Sequence, residues 1–110
     1  MYFTTTVKLA VDDATSEPIR GAQVALFDRD RLSRDDLLGS GTTDENGEAR
    51  FSYSSDRFSD DVDERLGGMF PELYAVVTGP DGEQVVSTRA EAEPNSAEKL
   101  IGIRIARDVA

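Results

Sequence analysis

The chain has 110 residues, with 22 acidic against 12 basic side chains and a formal charge of −10, and it contains no Cys, no His and no Trp. This length supports one domain, residues 1–110. The missing Cys and His exclude disulfides, thiolate zinc sites, thiol nucleophiles and the imidazole that most often serves as general base or metal ligand. So negative a field repels phosphate backbones and anionic headgroups, so neither nucleic acid nor a membrane surface is an expected partner.

No run approaches the roughly 18 apolar residues of a membrane span. The opening Met1-Tyr2-Phe3-Thr4-Thr5-Thr6 has neither a basic head nor an apolar stretch, so no signal peptide is visible. Lys8 and Lys99 are the lysines and the other positive charges are Arg. A composition rich in acid and poor in Lys suits either high salt, which screens self-repulsion, or cation binding.

From Phe3 to Val11 the odd positions Phe3, Val7, Leu9 and Val11 share one face while Thr4, Thr6 and Lys8 take the other, the period of a half-buried strand. Residues 12–21, with Pro18 and Gly21, read as a turn. A second strand follows over Ala22–Asp28, with Val24 and Leu26 inward and Phe27 on the opposite side. Leu37–Thr43 gives a third, weakened by Gly39 and Gly41, and Glu48–Tyr53 a fourth, with Ala49, Phe51 and Tyr53 on one side. The fifth and sixth, residues 72–79 and 83–89, are joined by Pro80-Asp81-Gly82, a composition suited to a tight hairpin. The last, Leu100–Ala106, turns Ile101, Ile103 and Ile105 inward and Arg104 outward. The spacing predicts an all-β, seven-stranded antiparallel Greek-key β-sandwich. Residues 54–71 form a long acidic connection outside this rhythm.

Asp44-Glu45-Asn46-Gly47 raises the question of a calcium loop. With Gly47 in the sixth position of an EF-hand loop, Thr42 falls first and Tyr53 twelfth, so the first and last ligands are wrong. A hairpin corner needs only a residue tolerant of positive φ, which Gly47 supplies. The stretch reads as a turn.

The segments Gly21–Asp28, Asp35–Asp44 and Asn46–Phe51 resemble transthyretin-like (prealbumin-like) β-sandwich domains, and are similar to carboxypeptidase regulatory-like and collagen-adhesin B-type modules. The likeness covers residues 7–53 well and the rest as strand rhythm. It implies a transthyretin-like or immunoglobulin-like sandwich, and an extracytoplasmic setting if the chain is an excised domain. The enzymatic relatives do not carry over. Hydroxyisourate hydrolase works through histidines and an Arg and ends Tyr-Arg-Gly-Ser, whereas this chain has no His and ends Arg107-Asp108-Val109-Ala110. Intradiol dioxygenases hold iron with two Tyr and two His. The isopeptide bond of adhesin modules joins a first-strand Lys to a last-strand Asn. Here Lys8 lies on the polar face of its strand, and Asn95 precedes the last strand. No catalytic residue and no resident cofactor are therefore expected.

If strands alternate in direction, the connections at 28–36, 54–71 and 90–97 share one end of the sandwich, and those at 12–21, 44–47 and 80–82 the other. Long connections on a rigid sandwich are where recognition usually resides. The long-loop end offers Asp28, Asp30, Asp35, Asp36, Asp60 and Asp61 as oxygen ligands for calcium. It also offers Phe58, Arg31 and Arg57 as partner-binding residues, although the interleaved Arg compete for the carboxylates as surface ion pairs. Tyr53 and Tyr74 read as core aromatics. The expected function is a non-catalytic module for protein–protein or structural contacts, through an exposed edge strand or the long-loop end, with self-association among its forms. The alternative is a small-ligand or calcium-binding domain.

Overall fold

The structure is a computed structural model that describes residues 2–29, 34–54, 72–94 and 96–106. Among them run eight strands: β1 (Tyr2–Val11), β2 (Gln23–Arg29), β3 (Asp36–Thr42), β4 (Glu48–Ser54), β5 (Glu72–Thr78), β6 (Gln84–Ser87), β7 (Glu93–Pro94) and β8 (Glu98–Ile105). They form two sheets, one in the order β4-β1-β8 and the other in the order β3-β2-β5-β6, with β7 also on β5. No described helix is long and apolar enough to cross a membrane.

The alternation read from the sequence places the side chains. Phe3, Val7, Leu9 and Val11 of β1 are buried, as are Val24 and Leu26 of β2, Ala49, Phe51 and Tyr53 of β4, and Ile101, Ile103 and Ile105 of β8. Leu9, Leu26 and Leu73 are among the largest fully buried side chains. Each stabilises by roughly 1.5–3 kcal/mol relative to exposure. Phe3 stacks on Tyr53 across the β1–β4 pair, ring centroids 5.8 Å apart. Gly39 is required by this packing: a Cβ there would lie 2.9 Å from Cδ1 of Phe51.

Two expectations are corrected. Seven strands become eight because β6 parts from β5 at Ser87, a 3-10 turn at Arg89–Glu91 intervenes, and Glu93–Pro94 rejoins β5 at Glu72 and Leu73. Pro94 lacks an N–H and suits such an edge. The sandwich is also not wholly antiparallel, since β1 and β8 pair in parallel from Thr4↔Glu98 to Val11↔Ile105. β6 and β7 both run antiparallel to β5 and so count as one pass, and alternation over the seven passes sends β1 and β8 the same way. Once they are neighbours, parallel pairing follows.

The alternation of ends is as expected. Ser54 lies beside Tyr2, and Glu98 pairs near the same end of β1. Arg29, Asp36 and Glu72 gather at the corresponding end of the other sheet.

At the opposite end the turns are bonded mainly through backbone. Asp44 Oδ1 accepts from the backbone N–H of Asn46 and Glu48 at 2.9 and 3.0 Å, and Gly47 adopts φ 76°. Its carbonyl accepts from Leu9 N–H at 2.8 Å, and a Cβ on Gly47 would lie 2.4 Å from the Leu9 oxygen. Buried Thr43 donates to Ile19 O at 2.7 Å and accepts from Ala22 N–H at 3.0 Å. Arg104 reaches across to Asp12 Oδ1, Ser16 Oγ and the carbonyl of Asp13 at 3.0–3.1 Å, fixing the 12–16 turn.

Candidate functional site

At the long-loop end, Asp35, Tyr74 and Arg89 meet on the outer face of the larger sheet. The β2–β3 register shifts between Leu26 and Phe27, so Leu38 is the extra residue of a bulge and turns inward, while Leu37 stands opposite Phe27 on the outside. Phe27 in turn faces Tyr74 of β5, and their rings stack at 5.2 Å with planes 11° apart. The Tyr74 hydroxyl donates to Asp35 Oδ2. Arg89 grips the same carboxylate through Nε at 2.7 Å and Nη2 at 3.3 Å, with its guanidinium carbon 5.9 Å from the Tyr74 ring centroid. Burial, then the hydrogen bond and charge of Asp35, push the Tyr74 hydroxyl up to about 12, against a smaller opposing effect of Arg89.

Beside this group Arg29 donates to Glu72 Oε1 at 2.8 Å and to the Arg89 carbonyl at 2.9 Å, tying β2 to β5 and to the 3-10 turn. Inside the sandwich, Tyr53 and Thr5 share a buried hydrogen bond of 2.9 Å. Burial pushes the Tyr53 hydroxyl up, the Thr5 bond opposes this, and the charge of Asp28 adds to the rise. These phenols are held neutral, which suits structural bonds better than proton transfer near neutral pH.

Of the expected metal ligands, Asp28 is buried on the inner side of β2 and Asp36 stands opposite it in the β2–β3 register at the exposed start of β3. Asp35 is engaged by Tyr74 and Arg89. Among the described residues no three carboxylates are grouped to hold a metal. Asp30, Asp60 and Asp61 lie outside the described residues, as do Phe58, Arg31 and Arg57. Tyr53 is part of the core as expected, whereas Tyr74 is buried on the outer face, against Phe27, Asp35 and Arg89. Lys8 is half-exposed and 4.0 Å from Glu48, on the outer face and away from any interior bond. Arg89 was not singled out by sequence. Its partner Asp35 is 54 positions away, so only strand order brings them together.

A second surface lies on the three-stranded sheet. Its outer face, lined by Thr4, Thr6, Arg50, Ser52, Glu98 and Leu100 among others, forms an open depression of about 620 Å³. The sheet ends at β8, which among the described residues has a partner on its β1 side alone. Thr4 N–H donates to Ala97 O, and Asp12 N–H to Ile105 O. The period of a parallel ladder between these bonds aims the backbone groups of Lys99, Ile101, Ile103 and Ile105 at β1. Those of Glu98, Leu100, Gly102 and Arg104 face the free edge. Leu100 is 61% exposed there. An apolar residue on the polar face of the last strand was the signal for this surface in the sequence.

No family model matches the chain, and no curated protein matches it. Among solved structures, a 9R-lipoxygenase from Cyanothece PCC8801 is similar to it, with a TM-score of 0.54 and 20% identity over 93% of this chain. The chain spans 16% of the length of that lipoxygenase. The major plantain pollen allergen Pla l 1 gives a TM-score of 0.47 at 15% identity, covering 96% of this chain and 94% of the allergen. The lipoxygenase likeness supports an all-β sandwich fold and carries no chemistry with it.

Proposed function

We propose that this chain is a non-catalytic β-sandwich module that acts by protein–protein contact, with the free edge and outer face of the β4-β1-β8 sheet as its contact surface. The observation that carries the reading is the β8 edge. It presents a row of backbone donors and acceptors beside exposed Leu100 and the open depression. Such an edge recruits a strand through main-chain bonds and needs no special side-chain chemistry. Non-catalysis is supported by the pairing of Asp35, Tyr74 and Arg89 with one another at the other surface. The lipoxygenase activity belongs to a chain of which this fold matches a small part.

We further assign the sandwich to the transthyretin-like group, with carboxypeptidase regulatory-like and adhesin B-type modules as relatives. The support is the Gly21–Phe51 segment together with the crossing of the chain, which places β1 and β4 in one layer and the β2–β3 hairpin in the other, as a Greek-key sandwich requires. A photo-crosslinker at Leu100, with one at Gln23 as control, tests the contact surface in extract of the source cells. The reading predicts a discrete protein adduct at Leu100 that Gly102→Pro removes. Equal adducts at both positions, or none at Leu100, contradict it.

The calcium-binding alternative has behind it the register that sets Asp28 opposite Asp36, while Asp35 is taken up by Tyr74 and Arg89. Calcium bound to the folded state raises the melting temperature beyond what matched ionic strength produces, and no excess shift removes this alternative.

A further inference from the structure

Within the reading of β8 as a contact edge, on which this inference rests, we propose that the strand it recruits is β8 of a second copy, paired antiparallel about a two-fold axis through Ile101 into one continuous six-stranded sheet. Three features of the strand fix this partner and this register.

The first is hydrogen-bond parity. Antiparallel strands exchange both bonds between directly opposed residues whose backbone groups face each other. The groups turned away from β1 belong to Glu98, Leu100, Gly102 and Arg104. Of these the Glu98 carbonyl accepts from Ser96 Oγ at 2.8 Å in the single chain, a bond that pairing would replace. An axis at Ile101 sets Leu100 against Gly102 of the other copy and Glu98 against Arg104 of the other copy, so every opposed pair is matched. An axis between two residues would oppose a free group to one already bonded to β1.

The second is charge. Axes at Leu100 or Gly102 also satisfy parity, but the Ile101 axis alone among these three sets Glu98 against Arg104, twice by symmetry. The strand reads Glu98-Lys99-Leu100-Ile101-Gly102-Ile103-Arg104, with acid and base equidistant from its centre on the same outer face. Opposite charges on directly opposed positions favour one register over its neighbours.

The third is Gly102. Gly within a strand weakens it and often marks a close approach, yet among the described residues no heavy atom lies within 4 Å of a Cβ built there. None of the described neighbours calls for a glycine at this position. In the paired sheet the exposed Leu100 side chain of the other copy lies over it. The interface is isologous, so it closes at two copies and leaves β4 as each outer edge.

Each copy carries a charge of −10, so mutual repulsion opposes assembly and salt that screens it strengthens the dimer. Light scattering on the full chain over a concentration series is the test. The mass is expected to rise from one chain towards two, at lower concentration in high salt than in low. Gly102→Pro removes a free-edge N–H while leaving the β1 ladder intact, so it is expected to abolish the rise while circular dichroism stays unchanged. Glu98→Arg is expected to weaken the dimer at least about tenfold by opposing two cations. Mixing that chain with one carrying Arg104→Glu restores both ion pairs and is expected to recover the heterodimer. If Arg104→Glu unfolds the 12–16 turn, the Gly102→Pro and Glu98→Arg measurements decide alone. A mass of one chain at every concentration, or a dimer indifferent to Gly102→Pro, overturns self-pairing. A Leu100 adduct to a different protein would then keep the contact-edge reading, and loss of that adduct as well would end both.

Discussion

At one end of the sandwich, Gly47 and Thr43 are joined to backbone atoms of their neighbours, and the turns they hold are short. At the other, Asp35, Tyr74, Arg89, Arg29 and Glu72 are joined through charged and phenolic side chains across strands distant in sequence. Backbone bonds at the first end depend on shape and tolerate changes of salt and pH. Ionic bonds at the second depend on charge and are screened where exposed. A scaffold thus has one end fixed by geometry and one that solution conditions can loosen, with the β8 edge running between them.

The sharpest way to break this contrast is Gly47→Val. A side chain there meets both an unfavourable φ of 76° and the Leu9 carbonyl, so a loss of about 3–5 kcal/mol in denaturant unfolding is expected. A loss below about 1 kcal/mol would show that the turn yields easily. Thr43→Val keeps the shape but leaves Ile19 O and Ala22 N–H without their side-chain partner, for an expected loss of about 1–3 kcal/mol. Neither loss should vary with salt.

At the ionic end, Asp35→Ala strips the Tyr74 hydroxyl and Arg89 of a shared acceptor. The expected loss is about 1–2 kcal/mol, and it should shrink at high salt. Alkali probes the same group. With its folded-state value raised from 10.0 to about 12, Tyr74 stays protonated in the native chain while the unfolded phenol ionises, so the unfolded state binds fewer protons in that window. Its contribution is therefore full below pH 10 and is lost as pH climbs towards about 12. Tyr74→Phe should flatten that part of the melting profile, and an unchanged slope would remove the bond from the account. The smallest effect belongs to Arg104→Ala. Its half-exposed ion pair with Asp12 supports a loss below about 1 kcal/mol.

The strands were legible because each long one alternates, and Phe3–Val11 and Ile101–Ile105 name their buried faces outright. Asp44–Gly47 was legible because positive φ leaves few choices of residue. Alternation, however, tells a strand's faces and not its neighbours. The β1–β8 parallel pair, the bulge that turns Leu38 inward and the meeting of Asp35 with Arg89 all depend on strand order. The two-residue β7 is too short to leave a period. Leu100 and Gly102 were not singled out in the sequence, because their meaning depends on β8 ending its sheet.

Amide hydrogen exchange along β8 tests the central claim most directly, because it reads the edge residue by residue. In dilute solution Lys99, Ile101, Ile103 and Ile105 should be protected by β1, while Glu98, Leu100, Gly102 and Arg104 exchange freely. As concentration rises, the second set should slow to join the first. Uniform protection at high dilution, or free exchange of the second set at every concentration, would contradict an open edge that a second copy closes.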